Sequence, residues 1–300
     1  MAESFCRVGD VEICFETFGD PADPALLLIM GLGTQMLGWH EDFCTDLAGR
    51  GFHVIRYDNR DIGRSTILSG APAPTVGQLV RRDKRAAAYT LAEMAADGVG
   101  LLDHLGIDRA HLVGVSMGGM IAQTIAARRP ERVLTLTSIM SSTGSRWRGQ
   151  PALKTYRKFL RPVSADRATY VAETAALFDI IGSPGFERDP EDLHALLGAM
   201  YDRGHDPASV SRQLAAIIAS GNRTAELRRI TTPTLVIHGT KDRLVNASGG
   251  RATARAIPGA RLQIIEGMGH DLARGAWPQL LDAISEHARA ADGSRAAAAA

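Results

Sequence analysis

The segment AHLVGVSMGGM, residues 110–120, decides the fold of this chain. A short apolar run ends in Ser116 between glycines, and an apolar helical pattern that ends at Arg129-Pro130 begins directly after it. Gly114, Ser116 and Gly118 have the spacing G-x-S-x-G, which is typical of a nucleophile on a sharp strand-to-helix turn. Side chains at the two glycines would collide with neighbouring backbone, and the helix N-terminus directs free N–H groups at developing negative charge. A nucleotide-binding turn is the alternative, but residues 114–119 lack the spacing G-x-G-x-x-G.

Other short apolar runs in the chain lack the alternation of a half-exposed strand. Such runs suit strands that are buried on both faces, as in a parallel sheet. Helical patterns lie between them, and the clearest begins at Thr90, which forms a capping box with Glu93. The alternation therefore predicts an α/β fold with a mostly parallel central sheet flanked by helices and active-site loops at the carboxyl ends of its strands. The runs are Leu26-Leu27-Leu28-Ile29, Val54-Ile55, His111-Leu112-Val113 and Leu235-Val236-Ile237.

The two ends and the middle of the chain differ from this pattern. Residues 11–18 alternate apolar and polar side chains, which predicts a half-buried strand paired in a hairpin with residues 5–8. Residues 141–229 show only helix-like segments joined by turns that contain proline or glycine, so we predict an inserted helical lid. Residues 1–140 and 230–290 would then form the α/β core. Residues 291–300 have no apolar face that could dock on the core, so we predict that they form a disordered tail.

Composition excludes several classes of function. The chain has 300 residues, 45% of them hydrophobic, and a formal net charge of +1, so nothing in its charge favours binding to nucleic acid. Cys6, Cys14 and Cys44 form no C-x-x-C pair, which argues against zinc and a disulfide framework and favours a reducing, cytoplasmic location. Residues 1–16 do not resemble a signal peptide, and the longest strongly apolar run, residues 25–30, is too short to span a bilayer. No motif indicates a nicotinamide, flavin or metal, so we expect no cofactor.

A serine hydroxyl needs a base to become nucleophilic, and the base needs an acid to orient it. His270 is the candidate base because it stands in the loop EGMGHD, directly after the apolar run 262–265. Asp242, in the segment HGTKD, likewise follows a strand and is the candidate acid. The order Ser116, Asp242, His270 along the chain is the one expected for this kind of turn.

Other assignments of acid and base are weaker. Asp271 adjoins His270 and is expected to point away from its ring. His238 precedes the acid loop and is expected to satisfy a local backbone group. His194 and His205 lie in the predicted lid, with no strand to hold them. We expect the remaining histidines to pack in the core or lie at the surface: His40, His53, His104, His111 and His287.

An oxyanion needs a pair of backbone donors. The N–H of Met117, directly after the nucleophile, supplies one. The second is assigned to the N–H of Leu32, in the turn Met30-Gly31-Leu32-Gly33 that follows the first central strand. The glycines on either side of Leu32 allow the backbone to approach the serine closely.

These segments together resemble the α/β-hydrolase superfamily, and more narrowly its serine esterase and lipase branch. They are similar to aclacinomycin methylesterase-like enzymes and to a mycobacterial lipase and carboxylesterase group. Met30 departs from the pattern, since much of the superfamily has a histidine there that buttresses the loop. The resemblance implies an α/β-hydrolase fold, and residues 58–65 are then expected to support the site without taking part in the chemistry. The matching segments are residues 30–33, 57–65, 114–118, the loop of Asp242 and residues 267–270.

The chemistry expected is cofactor-free hydrolysis of a small-molecule ester through an acyl-enzyme. The substrate would be an ester of a short or medium acyl chain, or the methyl ester of a larger metabolite. Dehalogenase and epoxide hydrolase activities are not expected, because those relatives attack with an aspartate. Three alternatives stay open: a lipase, phospholipase or thioesterase at lipid surfaces, a cofactor-free perhydrolase, and a non-catalytic ligand receptor.

A basic stretch in the predicted lid bears on the lipid-surface alternative. Residues 146–167 contain seven basic residues and one acid, and their apolar side chains fall on one helical stripe. Such a helix can contact an anionic lipid surface weakly, here through Arg157 and Lys158. A helix packed on the core with a solvated basic face is the simpler interpretation.

Overall fold

The computed structural model describes residues 2–152, 155 and 164–299, with side chains up to residue 293. Within these residues one eight-stranded sheet has the strand order β1-β2-β4-β3-β5-β6-β7-β8. The predicted hairpin of the first two strands is antiparallel, β2 also runs antiparallel to β4, and every later pair is parallel. The strands are β1 (Ser4–Val8), β2 (Val11–Phe18), β3 (Ala25–Ile29), β4 (His53–Tyr57), β5 (Ala110–Val115), β6 (Val133–Ile139), β7 (Thr234–Gly239) and β8 (Arg261–Ile265).

The central strands are apolar because helices cover both faces of the sheet. Every residue of β3, β4, β5 and β7 is buried. Along β3 the side chains alternate, so that Leu27 and Ile29 join one apolar cluster whereas Leu26 and Leu28 join another on the opposite face. The prediction of a mostly parallel sheet with buried strands is confirmed.

Ten helices of the described residues surround this sheet. α3 and α4 supply the cluster on one face, and α1 and α10 supply the cluster on the other. The capping box of Thr90 and Glu93 at the start of α3 is present as predicted. No described helix is both long and apolar enough to cross a bilayer. The helices are α1 (Glu41–Gly49), α2 (Val76–Arg81), α3 (Leu91–His104), α4 (Met117–Arg128), α5 (Arg167–Ile181), α6 (Pro190–Arg203), α7 (Ser209–Ser220), α8 (Thr224–Leu227), α9 (Ser248–Ala256) and α10 (Trp277–Ala299).

Helices α5 to α8 lie between β6 and β7, within the segment predicted as a lid. Two buried arginines of this insertion reach into the core: Arg203 pairs with Asp58, and Arg212 forms two bonds of 2.6 and 2.7 Å with Asp61. Both carboxylates belong to the loop after β4, and the backbone N–H of Met36 donates to the first of them at 2.8 Å. The loop 58–65 therefore ties the insertion to the core, as expected of a supporting loop. The basic residues predicted to face away from the apolar stripe, Lys154, Arg157, Lys158 and Arg161, lie outside the described residues.

The C-terminal segment differs from the sequence-based expectation. The backbone of α10 stays helical to Ala299, whereas residues 291–300 were expected to form a disordered tail. Alanine has the highest helix propensity of all residues, so a run of alanines can prolong a helix that tertiary packing has already nucleated. The absence of an apolar face, on which the expectation was based, does not prevent this.

Candidate active site

Ser116 lies between the last residue of β5 and the first residue of α4. Its backbone has φ +56° and ψ −116°, a conformation that non-glycine residues rarely adopt and that costs free energy. Two bonds hold it there, one to the last residue of β6 and one to the segment that follows this strand: the N–H of Ser116 donates to the carbonyl of Ile139 at 2.9 Å, and the hydroxyl of Ser141 donates to the carbonyl of Ser116 at 2.7 Å. The strained turn places the hydroxyl at the carboxyl edge of the sheet.

The two glycines beside this serine are required by close backbone contacts. A Cβ on Gly114 would lie 2.4 Å or less from the carbonyl group of Gly118, inside any van der Waals contact. A Cβ on Gly118 would lie 2.6 Å from the carbonyl carbon of Ile29 and closer still to its oxygen. The first turn of α4 therefore rests directly on the end of β3, which brings the nucleophile beside the turn that follows β3.

Replacing Gly118 with alanine should destabilise the fold strongly, because the methyl group would collide with backbone that cannot rotate away. We expect the free energy of unfolding to fall by about 3 kcal/mol or more. Urea denaturation followed by circular dichroism measures this, and Gly49→Ala, at a position with no atom within 4 Å of the new methyl, is the matched control. Equal stability of the two variants would contradict the tight contact of α4 with β3.

The structure brings the three predicted residues of the triad together. Nε2 of His270 lies 2.9 Å from Oγ of Ser116, and Nδ1 of His270 lies 2.7 Å from Oδ2 of Asp242. Asp242 follows β7, and His270 follows β8. Parallel strands present their carboxyl ends at one edge of a sheet, so three residues that are distant in the chain meet there. The geometry allows the imidazole to accept the proton of the serine hydroxyl while the carboxylate holds the opposite nitrogen.

The carboxylate of Asp242 is held in one orientation by the backbone. Its Oδ1 accepts hydrogen bonds from the N–H groups of Leu244 at 2.9 Å and Val245 at 2.8 Å, which leaves Oδ2 for the histidines. Burial by itself raises the pKa of Asp242, but the charge of His270 and the hydrogen bonds of His238 and His270 outweigh it and lower the pKa to about 2. The carboxylate is therefore ionised throughout the neutral and mildly acidic range.

This depressed pKa predicts how stability depends on pH. The pKa of Asp242 is about 2 in the folded chain, against about 3.9 for an unfolded aspartate. The Asp242 carboxylate therefore contributes about 2 kcal/mol to the free energy of unfolding above pH ~4, and this contribution is lost as the pH falls towards 2. We expect the unfolding free energy of the wild type to approach that of Asp242→Asn over this window, as measured by urea denaturation at several pH values. A difference in unfolding free energy between the two proteins that stays constant from pH 4.5 to 2.5 would contradict this prediction.

His238 lies against the same carboxylate oxygen of Asp242 as the base does. Its Nε2 lies 2.7 Å from the carbonyl of Val245 and 3.3 Å from Oδ2 of Asp242, and both atoms are acceptors, so Nε2 carries the proton. Nδ1 has no partner among the described residues, and the ring is fully buried. The expectation that His238 satisfies a local backbone group is confirmed, and the ring nitrogen within hydrogen-bond distance of Oγ of Ser116 belongs to His270.

The loop of the base is bound to the end of helix α5. The N–H of His270 donates to the carbonyl of Ile181 at 2.6 Å, and the N–H of Gly269 donates to the hydroxyl of Ser183 at 2.8 Å. The same hydroxyl donates to the carboxylate of Asp271, which is therefore turned away from the imidazole, as predicted. The sequence analysis did not identify Ser183, since no local pattern links it to a histidine 87 positions later.

The turn after β3 lies against the nucleophile. A Cβ on Gly31 would be 3.2 Å from Cβ and 3.8 Å from Oγ of Ser116, so the turn that carries Leu32 packs closely beside the serine. Met117 is the first residue of α4, and N–H groups of a first turn have no acceptor within their helix. The side chain of Asn59 donates a hydrogen bond to the carbonyl of Met30 at 3.0 Å and so supports the start of the turn. The predicted donors, Met117 and Leu32, thus belong to the two segments that adjoin Ser116, and their role at the oxyanion stays a prediction.

Comparison with known proteins agrees with this geometry. A model of the alpha/beta hydrolase fold matches residues 24–273. The chain belongs to the α/β-hydrolase family. It is 34% identical to rhodomycin D methylesterase DauP of Streptomyces sp. strain C5 and 33% identical to rhodomycin D methylesterase DnrP of Streptomyces peucetius, each over 94% of this chain and 96% of the relative. A hydrolase from Pseudomonas aeruginosa superposes with a TM-score of 0.70 at 26% identity, covering 97% of this chain and 98% of the other.

Family and site geometry together identify the chain as a carboxylic ester hydrolase. Its site opens into a cavity of about 1240 Å³, whose lining includes Ser116, His270 and Leu32. Typical ligand pockets measure roughly 300–1,000 Å³, so this one has room for a large substrate. Much of its wall is apolar and comes from the helices of the insertion: Leu177, Phe178, Leu193, Leu196, Leu214 and Ile217.

Leu177, Phe178, Ile181 and Met200 all line this cavity, whereas Ile180 is not among the described residues that do. Phe178 and Met200 also belong to an apolar cluster formed mainly by the insertion, so they contribute both to the cavity wall and to the packing of the insertion.

Proposed function

We propose that this hydrolase cleaves methyl esters of bulky carboxylic acids through an acyl-enzyme on Ser116. The observation that carries the proposal is the large apolar cavity that opens directly at the candidate triad. Two relatives at 34% and 33% identity are named as methylesterases of rhodomycin D, which supports a methyl ester as the scissile group. In such an ester the acyl part is large and the leaving group is small, so the acid portion would occupy the cavity.

The proposed first step is attack of Oγ of Ser116 on the ester carbonyl while Nε2 of His270 accepts the hydroxyl proton. The 2.9 Å separation of these atoms supports that proton transfer. Asp242 stabilises the imidazolium through Nδ1, and its low pKa keeps it charged during the reaction. The N–H groups of Met117 and Leu32 donate to the oxyanion of the tetrahedral intermediate.

The intermediate then collapses, with the imidazolium returning its proton to the methoxy oxygen so that methanol leaves. Water takes its place, loses a proton to His270 and attacks the acyl-enzyme. The second tetrahedral intermediate releases the carboxylic acid and restores the hydroxyl of Ser116. Each proton that the imidazole accepts is returned in the same half-reaction, so the cycle needs no cofactor.

Two methyl esters that share the same reacting group test the substrate class. Methyl 1-pyrenebutyrate carries a four-ring system on the chain of methyl butyrate, and kcat/KM for the two is compared by methanol release. We expect a preference of about 100-fold or more for the pyrenyl ester, because burying an aromatic group of roughly 150 Å² stabilises binding by about 3 kcal/mol. Ser116→Ala runs alongside as the blank.

The other outcomes point to the alternatives. Equal rates on the two esters would contradict the bulky substrate, and turnover that peaks on p-nitrophenyl esters of long acids in micelles would indicate a lipid-surface enzyme. Halogenation that depends on peroxide would indicate a perhydrolase. Turnover no faster than that of Ser116→Ala on every ester would contradict the esterase mechanism and favour a ligand receptor.

A further inference from the structure

Gln213, on helix α7 of the insertion, bonds to the turn that carries Leu32. Its Oε1 accepts a hydrogen bond from the N–H of Gly33 at 2.9 Å, and its Nε2 donates to the carbonyl of Arg60 at 3.0 Å. The side chain is fully buried. One partner is a donor and the other an acceptor, so an amide fits this place and its orientation is determined.

The turn itself has little backbone support. Its internal hydrogen bond, from the N–H of Thr34 to the carbonyl of Gly31, is 3.4 Å long, beyond the usual range for such bonds. Gly33 has φ +67°, a left-handed conformation outside the hydrogen-bonding pattern of a strand or an α-helix. Val210, one turn before Gln213 on the same helix, packs against Gly33, whose Cβ would lie 3.0 Å from a valine methyl. Helix α7 therefore restrains the turn through both a hydrogen bond and packing.

This restraint acts on the peptide group next to the predicted oxyanion donor. The carbonyl of Gly31 and the N–H of Leu32 belong to one planar peptide and point in opposite directions. The N–H of Gly33 belongs to the following peptide, and the two planes are joined only through the φ and ψ angles of Leu32. A bond that holds the second plane consequently limits the directions in which the N–H of Leu32 can point.

We propose that Gln213 is a positioning residue for the oxyanion hole, holding the N–H of Leu32 towards the reacting carbonyl oxygen. The proposal rests on the acyl-transfer function proposed above and assigns a catalytic consequence to the insertion beyond lining the cavity. Donors stabilise an oxyanion only when they lie at about 2.7–3.1 Å from it, so a turn that is free to rotate loses part of this stabilisation.

Variants at this position separate the hydrogen bond from the space that the side chain fills. Gln213→Met keeps the length and removes both bonds, whereas Gln213→Glu keeps an acceptor for the N–H of Gly33. Ser211→Ala is the matched control, because among the described residues the hydroxyl of Ser211 bonds only to the carbonyl of Ala208, the residue directly before this helix. We measure kcat and KM on p-nitrophenyl butyrate, and inhibition by a trifluoromethyl ketone, whose hemiketal oxyanion needs the same donors.

For Gln213→Met we expect kcat to fall about 50-fold with KM within about twofold, since one complete oxyanion donor is worth roughly 100- to 1,000-fold. The trifluoromethyl ketone should bind more weakly by a similar factor. Gln213→Glu should recover at least a part of the lost kcat, and Ser211→Ala should match the wild type. Amide hydrogen exchange of residues 30–34 should be at least about tenfold faster in Gln213→Met than in the wild type or Ser211→Ala.

Four results would overturn the proposal. An unchanged kcat with Ser116-dependent turnover intact would remove the catalytic role, and a rise in KM alone would indicate a contact with substrate. A loss of kcat without weaker binding of the ketone would indicate a general structural effect. Should the wild type show no Ser116-dependent turnover, the proposed function itself would fail, and unchanged hydrogen exchange in Gln213→Met would separately show that the side chain does not hold the turn.

Discussion

Replacing Ser116 with alanine should lower kcat/KM for ester hydrolysis about 100,000-fold, equivalent to roughly 7 kcal/mol of transition-state stabilisation. In the proposed mechanism the hydroxyl oxygen of Ser116 forms the acyl bond, and the hydroxyls beside it cannot replace it. The hydroxyl of Ser141 donates a hydrogen bond to the carbonyl of Ser116, and the hydroxyl of Ser138 accepts one from the side chain of Gln123 on α4. Turnover is measured on a soluble p-nitrophenyl ester, with protein purified free of other esterases.

Two further measurements make this prediction specific to Ser116. Ser138→Ala, which removes another buried hydroxyl one strand away, should keep most of the activity. An alkyl phosphonate should add one label to the wild type, detected by mass spectrometry on the peptide that contains Ser116, and none to Ser116→Ala. Labelling of a different serine, or activity that survives in Ser116→Ala, would disprove the assigned nucleophile.

Asp242→Asn should lower kcat by about 10,000-fold with little change of shape, because the amide would force the wrong tautomer on the base. The backbone N–H groups of Leu244 and Val245 require an oxygen at the position of Oδ1. The NH2 group of an asparagine must therefore point at Nδ1 of His270, which then becomes an acceptor. The proton moves to Nε2, the atom that has to accept the hydrogen of Ser116.

Thermal unfolding and a double variant distinguish the wrong tautomer of His270 from simple misfolding as the cause of the lost activity. At neutral pH the thermal unfolding midpoint of Asp242→Asn should fall by only several degrees, as expected for the loss of about 2 kcal/mol, and the variant should still unfold cooperatively. Ser116→Ala combined with Asp242→Asn should be no slower than Ser116→Ala alone, since the residues act as one unit. Losses that multiply in the double variant would show that Asp242 acts independently of the nucleophile.

Local sequence determines much of this site, because its chemistry depends on positions directly after strands. G-x-S-x-G needs only its own strand and helix to form the turn, and the close contacts of Gly114 and Gly118 account for both glycines. Asp242 and His270 were found by the same rule, since each follows an apolar run that could only be a buried strand. Once the runs are recognised as parallel strands, the topology itself places the three side chains at one edge of the sheet.

The supporting contacts have no such local signature. Gln213 lies 180 residues after Gly33, yet it accepts a hydrogen bond of 2.9 Å from the N–H of Gly33. Ser183 lies 86 residues before Gly269, yet it accepts a hydrogen bond of 2.8 Å from the N–H of Gly269. Both belong to the insertion, where no strand pattern predicts direction. The helical continuation of residues 291–299 was missed for a related reason, since composition alone does not reveal how a packed helix extends into an alanine run.

By itself, the sequence determined the fold family, the strand–helix turn of Ser116 and the identities of its two partners, because periodicity and glycine spacing report local backbone geometry. Only the tertiary structure decided the rest: the orientation of the Asp242 carboxylate, the binding of the His270 loop to Ser183 and the restraint of the Leu32 turn by Gln213. Hydrogen bonds between distant segments depend on a few tenths of an ångström, and packing of whole helices against the sheet sets that distance.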